Sequence, residues 1–196
     1  MASAGPLPHD PALPGWAPHA PAHLPGAHTR SGNAMGRTRA GLLDGAARAF
    51  AEGGLRGSTM QSVAVAAGVA KATLYNHFRT KDEVARALLA AELDRLTAVA
   101  AGLPAAAALT ALADEVAGHS VLRRLADDEP AVLTGLLAVS PERWAELVSR
   151  LAWALGADAD LAELGGRWLL GLVLQPGEPT ARRATAERLA ALFPPP

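Results

Sequence analysis

The stretch that decides the fold runs from Ala64 to Val84 and reads AVAAGVAKATLYNHFRTKDEV. Two helices cross closely at a large angle only where the crossing residue is small and the turn holds a residue free to take positive φ. Ala64 and Gly68, four apart, supply both. Val63, Val69 and Leu74 fill the wedge between the helices, which leaves Lys71, Thr73, Asn76 and His77 off the core side. Upstream, Thr59 offers an N-cap hydroxyl to a short helix whose inward face is Met60, Val63, Ala64 and Ala67. Before it, Leu42, Leu43, Ala46, Ala47 and Phe50 recur on one helical face, and Gly53-Gly54 ends that helix. Downstream, Leu74 and Phe78 anchor a third helix, so the reading is a three-helix helix-turn-helix unit.

The outward set suits a polyanion. Lys71 and Asn76 can donate to base edges, while hydroxyl and imidazole groups such as Thr73 and His77 reach phosphates. The net charge of −1 conceals the same polarity. Residues 37–81 carry seven basic residues (Arg37, Arg39, Arg48, Arg56, Lys71, Arg79, Lys81) against Asp44 and Glu52, net +5, whereas the 115 residues after them are net −6. A basic segment joined to an acidic one points to one lobe that meets nucleic acid and another that stays off it.

Residues 37 to 96, with the string Leu74-Tyr75-Asn76-His77-Phe78-Arg79-Thr80-Lys81 at their centre, resemble the DNA-binding domain of TetR-family transcriptional regulators. The resemblance implies that Thr59 caps the second helix and sets its hydroxyl and amides on a phosphate, as a helix N-terminus favours. It places Lys71 and Ala72 at the groove-facing start of the recognition helix, with Thr73, Tyr75 and His77 on phosphates and Tyr75 near a thymine methyl or base edge. Lys81 would meet a further phosphate, and Asn76 either reads a base or faces solvent. One departure stands out: Ala70 occupies the cap position where the family commonly has Ser or Thr, which forgoes on the order of 1 kcal/mol of capping.

Outside that segment the chain divides in two. Residues 1–36 hold seven of the fifteen prolines and four of the six histidines, with no apolar periodicity to offset the entropy of ordering, so a disordered tail is expected. His9, His19, His23 and His28 lie at irregular spacings and present no fixed metal-binding face. Met35, directly before the first ordered pattern, is a candidate alternative start. Met1–Pro18 lacks the basic start and apolar core of a signal peptide, and no apolar run approaches the roughly 18 residues a membrane helix requires. A cytoplasmic protein with no membrane partner is expected.

Residues 97–196 read as helices separated at Gly118, Asp127-Asp128-Glu129-Pro130, Ser140-Pro141, Gly156 and Gln175-Pro176-Gly177, which makes the whole chain all-α. Ser140-Pro141-Glu142 is a strong helix start, after which Trp144, Leu147, Val148, Leu151 and Leu155 share one face and Trp153 the other, so this helix is expected to be covered on both sides. Of the last two helices, one carries Leu161, Leu164, Trp168 and Leu172 with almost no polar face, beside Gly165, Gly166 and Gly171, which permit close helix approach. The other carries Ala181, Ala184, Leu189 and Leu192. A helix apolar all round in so small a lobe needs a second subunit for cover, and the family resemblance implies a homodimer through a four-helix bundle.

The same resemblance implies a small effector between the helices of this regulatory and dimerisation domain. His119, Arg123, Trp144, Trp153 and Trp168 are candidate liners, and the shortage of charge on the apolar faces favours an apolar or amphipathic ligand. No enzyme is expected: there is no cysteine, no Gly-x-Ser-x-Gly elbow, no His-Glu-x-x-His and no phosphate loop. No cofactor or metal is expected either. The reading is a ligand-responsive regulator, a repressor by the family's habit, bound as a homodimer to a palindromic double-stranded DNA operator. The alternative is a helical protein-interaction module that does not bind DNA specifically.

Overall fold

A computed structural model describes residues 27–192, with side chains from residue 38 onward. The side chains of His9, His19, His23, His28 and Met35 lie outside the described residues. Among those that are described there are ten helices and no strand: α1 (Ala27–Gly57), α2 (Met60–Ala66), α3 (Lys71–His77), α4 (Lys81–Ala100), α5 (Ala105–Gly118), α6 (Ser120–Asp128), α7 (Pro130–Leu137), α8 (Pro141–Leu155), α9 (Ala159–Leu174) and α10 (Pro179–Ala190). The first helix starts within the stretch assigned above to the tail. Pro25 is the last proline there, and nothing after it forbids helical φ or removes an amide donor.

Local chemistry sets most boundaries. α1 breaks at Gly54, whose φ of 68° and ψ of 177° no side-chain-bearing residue adopts readily. Thr59 and Ser62 form a reciprocal capping box at the start of α2. Thr80 accepts from the Glu83 amide at α4, Ser140 from Arg143 at α8 and Asp158 from Leu161 at α9. Gly68 and Gly156 take the left-handed conformation at the ends of α2 and α8, with φ of 67° and 62°.

α1 packs on α2, α4 and α6, so the first three helices do not form an isolated unit. One buried cluster runs from Leu42, Phe50, Val63, Leu74 and Phe78 through Val84 to Val121, Leu125, Leu133, Leu172 and Val173. A second, around Leu109, Leu112, Leu155 and Ala186, joins α5, α8 and α10. The apolar core is thus continuous between the helix-turn-helix and the helices behind it. No helix among the described residues is long and apolar enough to cross a membrane.

Two expectations about the C-terminal helices are corrected. Trp153 is 73% exposed, so the face of α8 that carries it is not covered by the described residues. Gly165 and Gly166 serve packing inside the chain: ideal Cβ atoms there would sit 3.6 Å from Leu109 of α5 and 3.5 Å from the Trp144 ring of α8. Only Gly171 faces open space.

Candidate nucleic-acid interface and regulatory cavity

The turn between α2 and α3 is built as the small-residue pattern requires. Ala64 and Leu74 are fully buried, and the Val69 amide donates to the Ala64 carbonyl at 3.0 Å across the turn. The tightest approach of α1 to α2 lies at Gly45, where an ideal Cβ would fall 2.5 Å from the Ala67 amide nitrogen. Arg48 secures the same crossing by donating to the Ala66 carbonyl at 2.6 Å, at the C-terminal end of α2. Sequence periodicity singles out neither residue, since both lie within an unbroken helical pattern.

On α3, Lys71, Ala72, Tyr75 and Asn76 are exposed, whereas Thr73 and His77 are half-buried. Lys71 Nζ lies 5.7 Å from the centre of the Tyr75 ring, so cation and aromatic present one surface. The His77 ring tilts against Phe78, whose other neighbour is the Arg39 guanidinium, 4.8 Å from the ring centre. Ala70 makes no side-chain cap, as its methyl dictates. Thr59 is exposed, its hydroxyl oxygen accepting from the Ser62 amide at 3.0 Å. Lys81 is turned inward: its ammonium donates to the carbonyls of Ser58 at 2.8 Å and Arg56 at 3.4 Å. The expected phosphate contact at Lys81 therefore competes with a role in holding the α1–α2 connection, because two of its donors are already engaged.

Behind these helices lies a cavity of about 550 Å³. Leu89, Leu93 and Leu96 of α4 wall one side, Leu136 and Leu137 of α7 another, and Trp144, Leu147, Val148 and Leu151 of α8 a third. Leu169 and Val173 of α9 complete the apolar wall, with Arg86, Glu92, Arg143 and Arg150 as its charged members. Of the five candidate liners only Trp144 reaches this space.

His119 instead caps α6, its Nδ1 accepting from the Leu122 amide at 3.3 Å, and borders a much smaller crevice with Phe50, Leu55 and Leu122. Arg123 lies 3.4 Å from the Leu172 carbonyl at the end of α9, and Trp168 packs between the two core clusters. Trp153 points to solvent. The missed signal is a second apolar stripe on α4, Leu89-Leu93-Leu96, beside the core stripe through Val84 and Leu88.

Several charged groups around the crevice and the cavity are paired. Glu92 and Glu115 both bind Arg95, and Glu92 lies 3.7 Å from His119 Nε2. Burial pushes the His119 imidazole below its ordinary value, against the attraction of Glu92. Arg150 pairs with Asp94 and Arg143 with Glu146 at 3.3 Å.

The expected dimer residues separate by exposure. Leu164, Ala181 and Leu192 are exposed, and Leu161, Trp168, Ala184 and Leu189 are half-buried. Leu172 is corrected: it is only 7% exposed and belongs to its own chain's core, because that face of α9 turns onto the main cluster. Leu170 and Leu174 of α9 are further apolar residues left open.

Residues 42–88 match the sequence profile of the family described as bacterial regulatory proteins, tetR family. The HTH-type transcriptional repressor KstR2 of Rhodococcus jostii is 42% identical over 93 residues, which is 45% of this chain and 45% of that protein. The chain thus spans about half the length of this relative. A TetR-family transcriptional regulator of Pectobacterium atrosepticum superposes over 82% of this chain and 92% of its own, with a TM-score of 0.55 and 24% identity. GusR of Salmonella enterica does so over 80% and 93%, with a TM-score of 0.54 and 19% identity. At those identities the likeness is one of fold. The match to the tetR family of bacterial regulatory proteins thus covers residues 42–88, the helix-turn-helix, and the chain as a whole shares the fold of those solved regulators.

Proposed function

We propose that the protein is a ligand-responsive, DNA-binding transcriptional regulator, a repressor that binds a palindromic operator as a homodimer. The observation that carries this reading is the outward face of α3: Lys71, Tyr75 and Asn76 stand exposed beside the capped start of α2, in the segment that carries net +5. Two copies related by a twofold axis would present two such helices to successive major grooves. The exposed apolar residues Leu164, Leu170 and Leu174 of α9, with Leu192 beyond α10, supply a surface for that second copy. The cavity between α4, α7, α8 and α9 suits an apolar or amphipathic small molecule. Such a ligand releases DNA if it favours a subunit arrangement unable to span both half-sites by about 1–3 kcal/mol.

In vitro selection from random duplex DNA tests the reading. Enrichment of a palindrome is expected, and absence of any enriched sequence overturns it in favour of an interaction module. On the selected operator, Lys71→Ala is expected to weaken binding by about 1–3 kcal/mol, more than on random DNA, as loss of a base contact does. An equal loss on both would make Lys71 a phosphate contact.

A further inference from the structure

Glu129 ends α6 and stands at the N-cap of α7, yet its carboxylate does not cap its own helix. It is 7% exposed and reaches back 73 residues, where both oxygens accept from the Arg56 amide at 3.0 Å. Capping the amides of its own helix is a task for the shorter Asp, Asn, Ser or Thr, and the longer Glu is free to reach elsewhere. This one satisfies an amide of the DNA-binding segment instead.

The connection it grips is otherwise held from within. Ser58 Oγ donates to the carbonyls of Gly54 at 2.6 Å and Ala49 at 3.0 Å, and Lys81 donates to Ser58 and Arg56. Gly54 makes room for the carboxylate: an ideal Cβ there would collide with Oε1 of Glu129 and lie 3.2 Å from its Cδ. Three residues beyond Arg56 comes Thr59, the cap that starts the DNA-binding pair of helices. At the other end of α7, Gly135, Leu136, Leu137 and Ala138 line the cavity. One helix of eight residues therefore touches the cavity at its C-terminal end and the approach to α2 at its N-terminal end.

We propose that Glu129 is a positioning residue that sets the angle of α2 and α3 relative to the helices behind them. The proposal rests on the DNA-binding reading above. In a dimer, a fixed angle fixes the distance and rotation between the two recognition helices, so it appears as a sharp preference for one half-site spacing.

The test uses the full-length protein and the selected operator, with zero, one or two base pairs inserted between half-sites. Each inserted pair turns one half-site by roughly 35° about the duplex. Wild type is expected to lose affinity steeply with insertion. E129A is expected to bind the parent operator at least about tenfold more weakly, within the range of typical interdomain coupling, and to discriminate much less among spacings. E129D, which keeps the charge but draws the carboxylate back by one methylene, is expected to flatten the profile too, and it decides the matter should E129A fail to fold. A variant that weakens all spacings by one common factor, or changes none, overturns the proposal, since a merely structural Glu129 would act equally on every spacing. Wild-type binding without spacing preference also overturns it. Failure of wild type to select any DNA is a different result, and it removes the functional reading itself.

Discussion

Gly45 shows how much one hydrogen atom can decide. Its missing side chain lets α1 and α2 approach until an added methyl would lie within 2.5 Å of Ala67 backbone, and backbone cannot rotate aside as a side-chain tip can. Gly45→Ala is therefore expected to cost about 1–3 kcal/mol or more, as overpacking does, despite the better helix propensity of alanine. Urea unfolding followed by circular dichroism checks it, and an unchanged or raised midpoint would contradict the close approach. His119 decides by charge. Burial lowers its proton affinity in the fold below that of the unfolded chain, whose value is near 6.5, so the native state binds fewer protons. The stability linked to this group is present above that value and is lost as pH falls from about 6.5 through the lower native value. His119→Asn keeps an N-cap acceptor for α6 but cannot titrate. Its urea midpoint is expected to fall less than that of wild type between pH 7.5 and pH 5.5.

At the scale of the element, α3 is short and under-capped. It has seven residues, and Ala70 offers no side-chain oxygen to its first amides. A helix this short owes its stability to the packing of Leu74 and Phe78 rather than to its own propensity. Ala70→Ser supplies the missing acceptor at an exposed position already in extended conformation, and is expected to raise stability by about 0.5–1 kcal/mol. Operator affinity should not fall, since the change orders the element proposed to bind. A loss of stability would show that the Ala70 methyl has a packing role. α9 differs in kind: Gly165 and Gly166 face α5 and α8, where a methyl would meet its neighbours at ordinary van der Waals distance, while Leu164, Leu170 and Leu174 remain outside.

At the scale of the whole molecule, charge is polarised and one apolar face is left uncovered. The +5 segment and the −6 remainder lie in one chain with a continuous core, so phosphate attracts one end and repels the other. Leu164 and Leu174 are 45% and 55% exposed on a helix with few other polar interruptions, which is a cost a second copy would remove. Arginine at both positions would bury charge in the proposed interface, so Leu164→Arg with Leu174→Arg is expected to convert a dimeric mass at micromolar concentration to a monomeric one. Light scattering on the eluting protein reads it directly. A dimer that persists would place the twofold interface away from α9.

The helix-turn-helix was legible in the amino-acid sequence because its constraints are local. A small residue at a crossing, a glycine at positive φ and Thr59 at a cap each act within a few residues, and Ala64, Gly68 and Thr59 all do in the fold what their chemistry requires. All-helical class and most helix ends were legible for the same reason, as Ser140 and Gly156 show at the two ends of α8.

What lines the cavity was not. An apolar residue at helical spacing faces inward, but whether it meets another side chain or an empty space depends on how helices distant in sequence are arranged. Trp144 lines the cavity, Trp168 is core and Trp153 is bare, though all three share one residue type. Only the tertiary structure assigned Leu172 to the core, turned Lys81 onto the Ser58 carbonyl and carried the Glu129 carboxylate 73 residues back to Arg56. Periodicity reports which face of a helix is buried. The partner against which it is buried is settled by the fold as a whole.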